Sequence, residues 1–466
     1  MTPEQFRVHA HQLVDWMADY LRDVGSGPVT PDVTPGQIRA SLPGEPPEQG
    51  EPFELIFEDF QRQIVPGMTH WSHPGWFAYF PANSSPPSIL AEMLTATLGA
   101  QCMSWSTSPA ATELEQVTMD WLRQLSGLPE GFTGVIQDTA STATLVALVS
   151  ARERARARSD APLTVYASGE AHSSVAKAVR LAGLGDTALR LVPVDDTYAM
   201  RPDALQGLIG ADRAAGLHPA CVVATVGTTS STAVDPLVPI GAAARENDLW
   251  FHVDAAYAGS AALLPECRHH FAGVELADSY LFNPHKWLLT NFDCTAYYVR
   301  DVPSLLRACS ITPEYLRTAH DADVVNFRDW GIQLGRRFRA LKLWFVLRSY
   351  GAEGIRAMLR RHLELARQFR AWAEGEPGFE LLAPSPFGLV CFRHHPAGMD
   401  EADLDRHNEA LLARVNASRE VYLTHTRLDG RYTIRMAIGQ WQTTEARVAR
   451  AWELVRAAAG RAGAER

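Results

Sequence analysis

Short apolar runs alternate with stretches of helical periodicity from about residue 134 onward. The apolar runs include GVIQ, LTVYAS, LRLVPV, CVVATVG, WFHVDAAY, SYLFN and TAYYVR, and helical segments such as TATLVALVSARERARAR lie between them. Continuous apolar strands that alternate with helices are typical of a mainly parallel sheet covered on both faces. Because such sheets bind ligands at the carboxyl ends of their strands, we expect the functional site at that edge.

The segments on either side of this α/β region follow other patterns. Residues 1–85 begin with a capped amphipathic helix and continue as a Gly- and Pro-rich arm. The apolar face of this helix needs a surface to pack against, and a partner subunit is a candidate for that surface. Residues 344–466 combine long helical runs with three strand-like runs, which indicates a smaller α+β domain. We therefore predict an N-terminal helical segment (1–85), a large domain (86–343) and a small C-terminal domain (344–466).

Charge and cysteine usage argue against several classes of protein. The net charge is −10 and no face is polybasic, so nucleic acid and anionic membranes are not expected as partners. The six cysteines show no CxxC spacing and the histidines no HExxH frame, so we expect neither a disulfide framework nor a metal site. With no signal-peptide pattern and no run of about 18 apolar residues, a cytoplasmic protein is expected.

Lys286 is unusual in a chain that uses arginine for most of its positive charges. Of the 43 lysines and arginines, three are lysine: Lys177, Lys286 and Lys342. A lysine amine, unlike arginine, can lose its proton when it is desolvated and then act as a nucleophile. Lys177 and Lys342 lie in helix-like stretches, where a solvated or snorkelling amine is ordinary. For Lys286, in NPHKW, composition leaves both interpretations open and its surroundings have to decide.

Two polar clusters and an acid also follow apolar strands. Asp254 ends the WFHVD run, where a carboxylate is costly unless it pairs with a cation, although it could also cap a turn. The DTAST cluster, residues 138–142, precedes a helix and suits either a phosphate or plain N-capping. A second hydroxyl cluster, GTTSST, follows CVVATV, and neither a Walker A loop nor GxGxxG occurs. Pyridoxal phosphate needs a lysine, an acid and a phosphate site together, so the combination predicts this cofactor.

Several longer motifs point to one family. The chain contains HPGWFAYFPANSS, SPAATELE, GEAHSSVAKA, HVDAAYAGSA, NPHKW and LGRRFRALKLWFVLRSYG in that order. Together they resemble the group II pyridoxal-phosphate decarboxylases, specifically the aromatic L-amino acid decarboxylases, over nearly the whole chain. The resemblance implies the aspartate-aminotransferase-like fold (fold type I), with a mainly parallel seven-stranded sheet. It also implies a homodimer with shared active sites and an aromatic amino acid as the small-molecule substrate.

The same resemblance assigns roles to residues by position. Lys286 is expected to form the Schiff base with the cofactor, Asp254 to pair with its pyridinium nitrogen, and His172 to stack on its ring. Tyr315 matches the mobile-loop tyrosine that reaches the substrate across the dimer interface. The implied cofactor-binding residues are Thr139, Ala140, Ser141, His172, Thr229, Asp254, Ala256, Asn283, His285 and Lys286. The implied substrate pocket consists of Trp71, Tyr79, Phe80, Ala82, Met103 and Gly335.

The resulting hypothesis is decarboxylation of an aromatic L-amino acid to the arylalkylamine and CO2. Ala82 and Met103 differ from the threonine and phenylalanine of the animal enzymes, and Gly335 matches the form associated with indolic substrates in plant relatives. Tryptophan, DOPA, tyrosine and phenylalanine therefore all remain open. One alternative is an aromatic acetaldehyde synthase, a relative that commonly replaces the loop tyrosine or stacking histidine retained here. Another is a non-catalytic scaffold, against which the intact lysine, acid and phosphate loop argue.

Overall fold

The computed structural model describes residues 1–311, 313–321 and 323–464. Its larger sheet has the strand order β1-β7-β6-β5-β4-β2-β3, in which β7 is antiparallel to both of its neighbours and the remaining neighbouring pairs are parallel. The strands are β1 (Thr133–Gln137), β2 (Leu163–Ser168), β3 (Leu189–Val192), β4 (His218–Thr225), β5 (Trp250–Asp254), β6 (Ser279–Phe282) and β7 (Thr295–Val299). This architecture confirms the mainly parallel seven-stranded sheet and the α/β class.

The strands in the middle of the sheet consist mainly of apolar residues because helices cover both faces of the sheet. Every residue of β2, β5, β6 and β7 is buried. The helices are α1 (Pro3–Asp23), α2 (Gln37–Ser41), α3 (Phe53–Asp59), α4 (Pro86–Leu98), α5 (Pro109–Ser126), α6 (Ala140–Arg156), α7 (Ser174–Leu181), α8 (Pro202–Ala214), α9 (Leu237–Glu246), α10 (Pro284–Trp287), α11 (Val302–Cys309), α12 (Arg339–Gly375), α13 (Glu401–Ala417) and α14 (Glu445–Ala464).

The C-terminal part contains a second, antiparallel sheet in the order β10-β11-β9-β8. Its strands are β8 (Phe379–Leu381), β9 (Leu389–His394), β10 (Thr424–Leu428) and β11 (Arg431–Ala437). Asp429 and Gly430 join β10 to β11 with φ angles of 50° and 77°, as a tight Asp-Gly hairpin turn requires. Helix α12 runs across the predicted domain boundary at residues 343/344 and is interrupted at Gly351, so the division into domains stays a prediction.

The N-terminal helix begins as its sequence predicts. The Thr2 hydroxyl accepts from the Gln5 N–H, the Gln5 side chain accepts from the Thr2 N–H, and Pro3 occupies the first helical position. No residue of α1 is buried within the single chain, although the helix carries an apolar stripe. Its contacts with its own chain are made by partly exposed side chains, such as Trp16 against Phe57 and Phe60.

The expectation that Lys342 is solvated or snorkelling was wrong. Its side chain is 0% exposed and its Nζ lies 2.9 Å from a carboxylate oxygen of Glu92, because α12 packs on α4 at this point. Arg337 also forms an ion pair with Glu92. Burial lowers the pKa of Lys342 to about 8. Lys177, by contrast, is exposed as expected.

Parallel strand order brings distant loops together at one edge of the large sheet. Asp254 ends β5, Asn283 directly follows β6, and His172 and Thr229 lie in the loops after β2 and β4. Because these four strands are parallel, the four loops emerge on the same side.

Candidate active site

A cavity of about 490 Å³ lies at this edge of the sheet. The loops after β2, β4 and β6 contribute to its wall, and so do the segment before α4 and strand β11. The lining residues are Trp71, Tyr79, Phe80, Pro81, Ala82, His172, Thr229, His285, Lys286, Phe292 and Arg435. The cavity thus combines residues from the first hundred positions, the large sheet and the C-terminal sheet.

Lys286 lies in α10, a helix of four residues that begins just after β6. Burial lowers the pKa of its amine, and the carboxylate of Asp254 opposes this shift. A lysine with a lowered pKa is more often in the neutral form, which is the nucleophilic one. Its Nζ lies 5.5 Å from the centre of the Phe80 ring. The site therefore contains an amine that can react with a carbonyl group, as an arginine could not.

Asp254 is a buried carboxylate at the end of β5, with 3% of its surface exposed. Its Oδ1 accepts from the N–H of Ala256 at 2.9 Å, and the Ala256 carbonyl accepts from the N–H of Asn283 at 3.0 Å. In the described parts of the chain, no basic side chain forms an ion pair with it. A buried carboxylate without a cation is costly, so a bound group with a cationic N–H would complete this site.

The two histidines of the wall are both neutral donors. The N–H of Cys294 donates to His285 Nδ1 at 3.0 Å, and burial, followed by the charge of Lys286, lowers the pKa of His285 to about 3. The N–H of Ser174 donates to His172 Nδ1 at 3.1 Å, and desolvation lowers the pKa of His172 as well. Each ring therefore carries its proton on Nε2, which remains as a donor.

Free N–H groups lie near the start of α6, where an anion could bind. Thr139 is the N-cap of this helix, and the first-turn N–H groups of Ala140 and Ser141 have no partner within the helix. Thr295 Oγ1 lies 2.8 Å from Asn283 Oδ1 and 3.2 Å from a carbonyl of the loop before α6. Thr295 thus ties Asn283 to the start of α6 and leaves the amide N–H groups of Asn283 as donors.

Aromatic rings form most of the remaining wall. Trp71 and Tyr79 stack with their ring centres 5.8 Å apart and their planes 11° apart. Phe80 stacks on Tyr257 at 3.9 Å, and Tyr257 stacks on Trp287 at 5.0 Å. No acidic side chain is among the described residues that line the cavity. Such walls suit an aromatic ligand better than a cationic one.

Sequence reasoning missed Arg435, whose guanidinium brings a positive charge to the cavity wall. Only 4% of its surface is exposed, and its guanidinium donates to the carbonyls of Thr229 and Ser230 and to Thr424 Oγ1 at 2.7, 3.1 and 3.0 Å. It lies 5.3 Å from the centre of the Phe80 ring. The sequence signal was an arginine inside the apolar strand RYTIRMAI, because arginine is rarely buried unless its charge is paired. Pro81 and Phe292 were also missed.

Nine predicted residues are not among those that line the cavity. Six of them lie at the strand ends and at the start of α6: Thr139, Ala140, Ser141, Asp254, Ala256 and Asn283. The other three are Met103, Gly335 and Tyr315. Gly335 lies against the side chain of Gln101, whose Oε1 accepts from the N–H of Arg336 at 2.7 Å. The carbonyl of Met103 accepts from the N–H of Arg328 at 2.8 Å. Tyr315 lies in a short turn, Glu314–Leu316, and is 77% exposed. Within a single chain, these three residues are therefore not part of the wall around Lys286.

The described residues form neither a metal cluster nor a membrane-spanning helix. Within residues 1–311, 313–321 and 323–464, no group of three or more His, Cys, Asp and Glu side chains is placed to hold a metal ion. No helix in that same part of the chain combines the length and apolarity needed to cross a bilayer.

Comparison with known proteins gives one consistent result. The family model described as "Pyridoxal-dependent decarboxylase conserved domain" matches residues 35–395. Tryptophan decarboxylase 2 of Oryza sativa subsp. japonica is 45% identical over 98% of this chain and 95% of its own length. Phenylacetaldehyde synthase of Arabidopsis thaliana is also 45% identical, over 98% and 96%. A crystal structure of Oryza sativa TDC with PLP and tryptamine superposes with a TM-score of 0.97 at 39% identity, covering 99% of both chains.

Proposed function

Because the chain belongs to the pyridoxal-dependent decarboxylase family, we propose that it decarboxylates an aromatic L-amino acid to the arylalkylamine and CO2. It is accordingly a carboxy-lyase whose cofactor is pyridoxal phosphate. The observation that carries the substrate class is the cavity itself, in which stacked aromatic rings surround Lys286. Relatives named tryptophan, tyrosine and aromatic-L-amino-acid decarboxylase support the same class.

The residues around the cavity fit this cofactor. Pyridoxal phosphate supplies an aldehyde and a ring that withdraws electrons from the substrate carbon. Lys286 would hold the aldehyde. Asp254 would keep the ring nitrogen protonated, and the protonated nitrogen would be the cationic partner that this buried carboxylate lacks. The Nε2–H of His285, the amide of Asn283, Thr229 and the start of α6 would hold the phosphate, and His172 would cover the ring. Ala256, next to Asp254, would pack against its other face.

The substrate would be oriented by charge at one end and by aromatic contact at the other. Arg435 is the cation in the wall that has no acidic partner among the described residues, so it would bind the substrate carboxylate. Trp71, Tyr79 and Phe80 would hold the aromatic side chain. With both ends fixed, the bond from the substrate carbon to its carboxylate keeps one orientation, which is the main contribution that a protein makes to such a reaction.

We further propose that the protein is a cytoplasmic homodimer whose active sites are shared. Leu90, Leu94 and Leu98 form an exposed stripe along α4, and a groove of about 600 Å³ runs between α1, α3 and α4. An apolar surface of this kind is typical of an obligate interface. A second chain would also supply the residues Tyr315, Met103 and Gly335, which a single chain leaves outside the cavity wall. All six cysteines are free, which fits a reducing compartment.

Replacing Leu94 by glutamate is expected to produce a monomer that has lost most of its activity, because a charge in the centre of the apolar stripe cannot be buried without a partner. Light scattering at the assay concentration measures the mass. Leu181→Glu is the matched control, since Leu181 is an exposed leucine on α7, away from the stripe, and this variant is expected to stay dimeric and active. A fully active wild-type monomer would contradict the proposal.

The proposed reaction is tested with a panel of L-amino acids. Tryptophan, DOPA, tyrosine and phenylalanine are compared with glutamate and lysine, and CO2, amine, aldehyde and peroxide are measured. We expect CO2 and amine in equal amounts from at least one aromatic substrate and none from glutamate or lysine, whose side chains leave the aromatic wall unfilled. Release of CO2 from glutamate alone would contradict the substrate class. Aldehyde and peroxide as main products would identify an acetaldehyde synthase instead.

A further inference from the structure

The side chain of Asn83 joins three separate parts of the chain behind the cavity. Its Nδ2 donates to the carbonyl of Lys286 at 2.7 Å and to the carbonyl of Gly439 at 2.9 Å. Its Oδ1 accepts from the N–H of Trp441 at 2.9 Å. The residue is 0% exposed, and both of its N–H groups are used. Asn83 is therefore a fully satisfied buried connection between Lys286 and the segment that follows β11.

A second buried connection joins the same two segments. The indole N–H of Trp287 donates to His362 Nδ1 at 2.9 Å, and His362 in turn contacts the backbone carbonyl of Gln440. The Gln440 side chain donates to the carbonyl of Trp71 at 2.7 Å. Residues 439–441 thus connect the neighbourhood of the reactive lysine to an aromatic residue of the cavity wall.

The backbone around Lys286 needs such support because little regular structure surrounds it. Helix α10 is only four residues long, and Leu289, three residues after the lysine, has a φ of 57°. A long helix would fix the direction of the lysine through its own hydrogen bonds. Here the carbonyl of Lys286 is instead fixed by a side chain that lies 203 positions away in the sequence.

We propose that Asn83 is a positioning residue for Lys286. By holding the peptide of Lys286 against residues 439–441, it sets the direction of the amine relative to the cofactor and to Trp71. Asn83 is not among the residues that line the cavity, so it acts through Lys286 and not on the substrate. The inference rests on the proposed role of Lys286 as the residue that holds the cofactor.

The chain offers a closely matched control in Asn408. This residue is also 0% exposed, its Nδ2 donates to the carbonyls of His394 and Leu404 at 2.8 and 2.9 Å, and its Oδ1 accepts from the N–H of His394 at 2.8 Å. Its hydrogen bonds are the same in number and kind as those of Asn83, but they lie within the C-terminal part of the chain. Substitutions at the two positions are expected to lower stability similarly.

The experiment compares the holoenzymes of Asn83→Ala and Asn83→Ser with those of Asn408→Ala and Asn408→Ser. The serine variants retain a polar group and are measured in place of the alanine variants if those do not fold. The first measurement is the half-time of cofactor release after dilution into cofactor-free buffer. The second is the induced circular dichroism of the bound cofactor, which reports how firmly its orientation is fixed. The thermal midpoint of each variant records the loss of stability separately.

We expect the Asn83 variants to release cofactor about 10-fold faster than wild type and to show a weaker dichroic band, since the hydrogen bond that fixes the carbonyl of Lys286 is lost. The Asn408 variants are expected to match wild type in both measurements despite an equal fall in thermal midpoint. Equal behaviour of the two sets would overturn the inference and leave Asn83 a structural residue. Borohydride trapping of wild-type cofactor on a residue other than Lys286 would instead overturn the proposed function.

Discussion

Replacing Lys286 by alanine is expected to lower turnover by about 10³-fold or more, because among the residues that the structure describes no other amine lines the cavity. Purified wild-type protein should carry the cofactor covalently, and borohydride should fix it to the peptide that contains Lys286. The variant should bind cofactor only reversibly. Turnover and peptide mapping by mass spectrometry measure the two effects independently.

Two further substitutions make this test specific. Lys286→Arg preserves the positive charge but not the nucleophilic amine, so it is expected to be as inactive as the alanine variant. Lys177→Arg alters an exposed lysine and should behave as wild type. Recovery of the reduced cofactor on Lys177 or Lys342 would show that Lys286 has been assigned the wrong role.

Tyr315→Phe is expected to lower amine formation by roughly 10²–10⁴-fold, the usual contribution of a positioned general acid. When CO2 has left, the substrate carbon must gain a proton, and the phenol of Tyr315 would donate it. Without that donor the electrons left on the substrate can pass to oxygen. The balance is then one amino acid, one O2 and one water giving aldehyde, CO2, ammonia and hydrogen peroxide. Amine, aldehyde and peroxide yields with and without oxygen measure this partition.

The neighbouring residue Glu314 provides the control for this prediction. Glu314 is exposed and pairs with Arg317, so Glu314→Gln changes the charge of the same turn and retains the phenol. It is expected to form amine at the wild-type rate with no peroxide. If Tyr315→Phe behaved in the same way, the tyrosine would only anchor its loop, and His172 would be the next candidate for the proton donor.

Local sequence patterns were sufficient to predict the sheet and the positions that follow its strands. Runs such as WFHVD and SYLF became β5 and β6 because a strand that is covered on both faces consists mainly of apolar residues. Parallel order then places Asp254 and Lys286 at the same edge, although 32 positions separate them in the sequence. Lysine is rare in this chain, and this rarity was a further reason to assign a chemical role to Lys286.

Other features depend on which surfaces come into contact, and no local pattern encodes that. Arg435 reaches the cavity because β11 packs beside the loop after β4, and Asn83 reaches Lys286 because the segment before α4 crosses behind α10. Lys342 has the same helical periodicity as a solvated lysine, yet α4 buries it completely.

Neither the local sequence nor the fold of one chain places Tyr315, Met103 and Gly335 in the wall of the cavity. The sequence by itself thus determined the sheet, the cofactor and the residues at the strand ends, because burial and periodicity act over a few neighbouring residues. Tertiary packing decided which distant side chains meet the reactive lysine, because that depends on contacts between segments hundreds of residues apart.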